Sequence, residues 1–306
     1  MSTAQLSTTV LSRPHRAICF AVFLISGLTL FLLQFLAFNS KNRLFQSCVF
    51  VALPVVFTLT TVLLYRSRNL NAYWQAYFSY TTTAIAITLM WLLDDLLVNW
   101  LGLDSKKPAG MALEKVTDAV ILISTVILLS KLFRISLGSI YLKRGKLKLG
   151  LIFGILGFAV MATFGVLQAR SLGISFERIR EWTPWLLIFC LANGFMEELI
   201  ARGLFLKKFQ PFLGTFLSNL VTAIVFSIAH VGVTYSSDLL TFLVVLFVFA
   251  LLAGFVMQKT DALWGSALFH AGADILIMIG IFAGVKTLGQ LLNWTDLVCP
   301  RLLRRC

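Results

Sequence analysis

Acidic residues are scarce in this chain, 13 of 306 against 26 Lys and Arg, and only three residues are His. Few side chains are therefore left for acid–base chemistry or metal ligation. The five Cys (Cys19, Cys48, Cys190, Cys299 and Cys306) form no C-x-x-C pair, which argues against both a cysteine zinc site and a disulfide framework. Cys299 and Cys306 flank a basic tail and are read as unmodified. Charge of either sign is rare, at 13% of residues, while 59% are hydrophobic. That balance excludes an ordinary soluble domain.

What is abundant is apolar length. Runs of spanning size lie near 18–38, 46–65, 81–101, 117–134, 149–168, 183–201, 212–232, 239–258 and 262–285. In lipid the backbone must satisfy its own hydrogen bonds, so the runs are helices. The expected fold is an all-α, multi-pass bundle of eight or nine transmembrane helices. The first run follows Arg13, His15 and Arg16 but is too long for a signal-peptide core, and we read it as retained. The net charge of +13 is scattered through loops, which points to anionic lipid headgroups as partners and not to nucleic acid. The cluster Lys131, Arg134, Lys143, Arg144, Lys146 and Lys148 puts the N-terminus in the cytoplasm by the positive-inside tendency.

Three segments are expected: N-terminal membrane helices over 1–145, a functional core over 146–290 opened by the basic linker around Lys143–Lys148, and a basic tail over 291–306. The tail, from Leu291 to Arg305, has the mixed character of a surface-lying segment. Glycines at 150, 154, 157, 265 and 272 mark close helix packing. Asp94 and Asp95 are read as lying at an interface or a short break, with the lining of a substrate path or a proton pathway as the alternative.

The core carries nearly all the intramembrane polar chemistry. Asn193-Gly-Phe-Met-Glu197-Glu198-Leu-Ile-Ala-Arg202 places two carboxylates and a guanidinium near the end of an apolar run, where charge is costly and usually functional. Residues four apart share a helix face, so Glu198 pairs with Arg202 while Glu197 points elsewhere, over Asn193 and Ala201. On the next run Asn219, Phe226 and His230 share a face. Farther on, Ser266, His270 and Asp274 form one stripe. Counting about 1.5 Å of rise per residue, Glu197 and His270 come out at similar depth and His230 nearer one membrane face.

A desolvated carboxylate suits a general base acting on water, and imidazoles can hold that water or stabilise an oxyanion. Peptide hydrolysis is the reaction these groups fit. Zinc held by Glu197, His230 and His270 is the alternative within the same chemistry. A non-hydrolytic immunity or transport protein using the same groups is the alternative outside it. The chain has no H-E-x-x-H, no G-x-G-D and no convincing G-x-S-G, which argues against the zinc site-two, presenilin-like and rhomboid classes.

Glu197-Glu198-x-x-x-Arg202, Phe226-x-x-x-His230 and His270-x-x-x-Asp274, in that order, resemble the three motifs of the CAAX protease and bacteriocin-processing (CPBP, Abi) family of intramembrane proteases. The resemblance covers roughly 145–285, including Leu263–His270 before the third motif. It implies an intramembrane endopeptidase acting on a membrane-associated or prenylated substrate. Glu197, helped by His230, would activate water, and His270 and Asp274 would form the oxyanion site. Glu198 and Arg202, with Asn219 and Phe226 beside them, would support the pocket. The family is commonly described as metalloproteases, so the resemblance leaves zinc open, although the preferred reading requires no cofactor. The third motif often ends in Asn where this chain has Asp274. An ionised carboxylate cannot donate to an oxyanion. Asp274 is therefore expected to orient His270, or else to be protonated.

Overall fold

The long apolar runs become helices, and a computed structural model describes residues 12–93, 96–232 and 238–284. Asp94, Asp95, the segment 291–306, Cys299 and Cys306 lie outside the described residues. The helices are α1 (Arg13–Phe38), α2 (Arg43–Arg66), α3 (Trp74–Leu93), α4 (Leu96–Trp100), α5 (Pro108–Leu132), α6 (Leu147–Ser171), α7 (Phe176–Glu198), α8 (Leu206–Ala229), α9 (Leu239–Thr260) and α10 (Trp264–Phe282). The described residues contain no strand.

Local signals set the starts. Asn42 accepts a hydrogen bond from the Phe45 amide at α2, Ser175 from that of Arg178 at α7, and Asp238 from that of Thr241 at α9. Pro108 opens α5, where its missing N–H costs nothing.

Among the described residues eight helical segments are long and apolar enough to cross a membrane, and the chain is a multi-pass integral membrane protein. Apolar side chains such as Leu128, Leu132, Val245 and Leu240 stand on the outer surface, where lipid replaces water as the neighbour. The run read over 117–134 needs correction. It belongs to the 25-residue helix α5, whose first turns carry Glu114, Lys115 and Asp118, and which is not one of the eight.

The parts before and after residue 145 share one apolar core. It joins Phe23 of α1, Phe50 of α2 and Tyr80 of α3 to Met196, Leu204 and Phe209 of the later helices. Polar staples cross the same boundary: Ser79 donates to the Leu204 carbonyl at 2.7 Å. The basic linker is bound to the turn between α9 and α10, with the Lys146 amide donating to Thr260 O at 2.7 Å and Trp264 Nε1 to Lys143 O at 2.9 Å. Lys143 and Lys207 both pair with Asp261 there. Gly145 has φ +51, and an added Cβ would stand 2.6 Å from two carbonyl oxygens of that turn.

Small residues permit the tightest contact. Gly150, Gly154 and Gly157 of α6 meet Gly265, Leu268 and Phe269 of α10, and Gly272 meets Phe158. On the other side of α10, Gly194 of α7 lies so close that a Cβ would stand 2.8 Å from Ala267 O and from Ala271 N. This approach brings the glutamates of α7 to the histidine of α10.

Candidate active site

The α-helical pattern of α7 ends at Glu198 and passes through a π-helical turn, Leu199–Gly203, in which the Leu204 amide donates to Leu199 O at 2.9 Å. Such turns widen a helix by one residue and often mark functional sites. Across this turn Arg202 pairs with Glu198, both fully enclosed. Arg202 Nε also donates to the Ala250 carbonyl of α9 at 3.2 Å, and its guanidinium lies 4.4 Å from the centroid of the Phe226 ring. Glu198 accepts two more hydrogen bonds, from Ser266 Oγ and, at 2.8 Å, from His270 Nδ1. One buried carboxylate thus ties α7 to α10.

Glu197 turns away from this pair. Its side chain is 28% exposed, and Oε2 lies 3.6 Å from His270 Nε2 and 3.9 Å from His230 Nε2. These separations exceed hydrogen-bond reach and suit a shared water molecule. His230 follows the last residue of α8, and its Nδ1 lies 2.8 Å from the Phe226 carbonyl. A carbonyl only accepts, so Nδ1 carries the proton, and Nε2 of the neutral ring presents a lone pair towards Glu197. The depth count puts His230 nearer one face because it treats 212–232 as one uniform helix. Gly214 (φ 77, ψ 176) breaks α8, and the helix stops at Ala229.

Two expectations are corrected by these contacts. The imidazole of His270 is oriented by Glu198, not by Asp274, whose Oδ1 stays 3.6 Å from Nε2. Asp274 Oδ2 instead accepts from Asn193 Nδ2 at 3.1 Å, because Asn193 faces α10 one turn before Glu197. Asn219 is the second correction. Eleven residues before His230, about 16 Å along the helix, it donates to Leu251 O at 2.9 Å and packs on Gly254. It belongs to the α8–α9 contact and not to this cluster. Phe226 does join the cluster, with its ring 4.6 Å from His230 and edge-on to His270 at 5.8 Å. Phe249 of α9, which sequence reasoning missed, contacts the His270 ring from another direction at 5.2 Å.

Glu197, Phe226 and His230 line two cavities. One, of about 200 Å³, is almost entirely apolar, and Gly27, Phe31, Tyr80, Ile87, Met90 and Leu122 bring the first half of the chain into its wall. The other, of about 380 Å³, is lined by Asn193, His270, Asp274 and Lys115, among others. Lys115 is a second residue that sequence reasoning missed, although a lysine and an aspartate at the edge of an apolar run were a signal for it.

Residues 179–276 match the family model for type II CAAX prenyl endopeptidase, Rce1-like. Over this segment the chain is similar to Rce1-like CAAX endopeptidases. The matched segment contains Glu197, Glu198, Arg202, Phe226, His230, His270 and Asp274, so the clustered groups of α7, α8 and α10 all lie inside it, and the match supports intramembrane protease activity in general. Lys115 and a third of the residues that line the apolar cavity lie outside that segment. No curated protein and no solved structure matches the chain.

Among the described residues no three His, Cys, Asp or Glu side chains form a group able to hold a metal ion. Glu197 approaches each histidine separately, at 3.6 Å from His270 and 3.9 Å from His230.

Proposed function

We propose that this protein hydrolyses a peptide bond in a prenylated or otherwise membrane-associated substrate, with Glu197 as the general base. The observation that carries the proposal is the position of Glu197 Oε2 between the Nε2 atoms of His230 and His270, at the wall shared by an apolar and a polar cavity. Glu197 and neutral His230 both accept. A water molecule between them donates one hydrogen to each and turns its lone pairs towards the scissile carbonyl. As the oxygen attacks, Glu197 takes the proton, then passes it to the departing amine.

The developing oxyanion needs donors. His270 keeps Nδ1–H on Glu198, so in its imidazolium form the Nε2–H is free to donate. Asn193 has a second amide hydrogen beyond the one given to Asp274. Asp274 then serves by holding Asn193, while Glu198 and Arg202 hold His270. The apolar cavity suits a prenyl group or another hydrocarbon portion of the substrate.

The test uses purified, detergent-solubilised protein and a fluorogenic panel of prenylated and unprenylated peptides. Wild type is expected to cleave at least one prenylated member, Glu197→Gln to cleave none, and a zinc chelator to leave the rate unchanged. Retained cleavage by Glu197→Gln contradicts the base assignment. Loss under chelation, restored by zinc, makes the same residues ligands.

A further inference from the structure

The polar cavity has a single cation other than the histidines among its described lining residues, Lys115 of α5. Arg202 is enclosed and committed to Glu198 and the Ala250 carbonyl. Lys115 is held in place from two sides: Nζ donates to Asp118 Oδ2 at 3.0 Å and stands 5.7 Å from the centroid of the Phe189 ring on α7. Its side chain remains 23% exposed. An ammonium group has three donors, and the bond to Asp118 uses one.

We propose that Lys115 binds a carboxylate of the substrate, and so selects peptides that carry a negative charge on the polar-cavity side of the scissile bond. The proposal rests on the peptidase reading above. A peptide bond at Glu197 has one flank towards the apolar cavity and the other towards the cavity that Lys115 lines. The remaining ionisable groups of the polar cavity are Glu197, His230, His270 and Asp274, with Asp118 behind Lys115. The carboxylates of the chamber would repel an anionic substrate group, the imidazole of His270 is already bound to Glu198 and set at the reacting carbonyl, and the ammonium gives the charge a defined place of its own. Two sources supply that chemistry, the free C-terminus of the peptide or an acidic side chain close to the cleavage point.

Binding is the measurement that separates this proposal from the hydrolytic one. Fluorescent prenylated peptides are titrated into full-length Glu197→Gln protein in three forms: free C-terminal acid, C-terminal amide, and amide with an Asp in place of an uncharged residue near the C-terminus. A charge-assisted hydrogen bond predicts that one anionic form binds about tenfold or more tightly than the neutral amide. Tight binding of the free acid alone identifies the C-terminus as the source, and tight binding of the Asp-containing amide identifies the side chain. In Glu197→Gln/Lys115→Met the preference should fall towards one, and in Glu197→Gln/Lys115→Arg most of it should return. Equal binding of all three peptides, or a preference unchanged by Lys115→Met, overturns the proposal and leaves Lys115 as a balance for the charge of Glu197 and Asp274. A Lys115-dependent preference in a protein whose wild type cuts no peptide would keep the carboxylate subsite and remove the peptidase reading. Cleavage of acid and amide at equal rates, without a preference in binding, would do the reverse.

Discussion

Replacing Arg202 by Met tests how the site is held together. Arg202 and Glu198 are fully enclosed, and Glu198 also accepts from Ser266 and His270. Removing the guanidinium leaves a carboxylate without its one permanent cation, where water cannot reach it. Breaking a buried pair from one side costs about 3–5 kcal/mol. For a chain of this size that corresponds to a drop in Tm on the order of 10 °C. Arg202→Met/Glu198→Gln removes both charges and should recover much of the loss, because the amide oxygen still accepts from Ser266 or His270. The assay is thermal unfolding in detergent of wild type, both single variants and the double variant, read as a double-mutant cycle. A coupling energy above about 2 kcal/mol is expected for a pair so fully desolvated. The recovered fold should still be inactive, since the neutral amide introduced by Glu198→Gln no longer offers His270 a charged acceptor. The reasoning is refuted if Arg202→Met leaves Tm within a degree or two of wild type, or if the two single losses simply add in the double variant.

Gly194→Ala should separate α7 from α10, because its Cβ would meet backbone atoms of Ala267 and Ala271 at 2.8 Å. Cleavage should fall by at least about tenfold with the fold retained, since a misplacement near 1 Å can cost more than that; near-normal kcat/KM would contradict the packing argument. Ser266→Ala removes one of the three donors to Glu198 and should lower Tm by less than Arg202→Met, while Ser266→Thr, which keeps the hydroxyl, should be milder still if its methyl group is accommodated. Outside the membrane core, burial tends to raise the Asp261 carboxyl, but hydrogen bonds from Lys143 and Lys207 outweigh it and hold the group below its ordinary 3.8. The bond to Asp261 in turn raises Lys143 above its ordinary 10.5. The contribution of Asp261 is therefore present above its unfolded value and lost as pH falls through the folded one. That of Lys143 is present below its unfolded value and lost as pH rises through the folded one. The Tm difference between wild type and Asp261→Asn should be a plateau between those limits that narrows on both sides, and a difference independent of pH would contradict the pairing.

The parts of this site that were legible in the sequence are those set by helical repeat. Four-residue spacing pairs Glu198 with Arg202 and turns Glu197 away, and it places Ser266, His270 and Asp274 on one stripe of α10. What the repeat could not supply was the identity of the partner on a neighbouring helix. His270 has three carboxylates within 4 Å, and the closeness of Gly194 to α10 gives its Nδ1 to Glu198 and leaves Asp274 to Asn193. The π-helical turn at Leu199–Gly203 and the break at Gly214 interrupt the periodicity on which depth is counted, so the count misplaces His230 through its helix and not through its chemistry. The contribution of the first half was hidden for a different reason. In lipid, apolar residues face outward and inward alike, and nothing in the pattern of Phe31, Ile87 or Leu122 distinguishes a cavity wall from a lipid-facing surface.

The most direct test of the central claim is cleavage of a prenylated peptide in H₂¹⁸O, followed by mass spectrometry of the products and of the intact protein. The account predicts that wild type gives an N-terminal product with one ¹⁸O in its new carboxylate, that the protein gains no label, and that Glu197→Gln gives no product. Product formation by Glu197→Gln, or ¹⁸O appearing in the Glu197 side chain during turnover, would contradict a glutamate that acts on water as a general base.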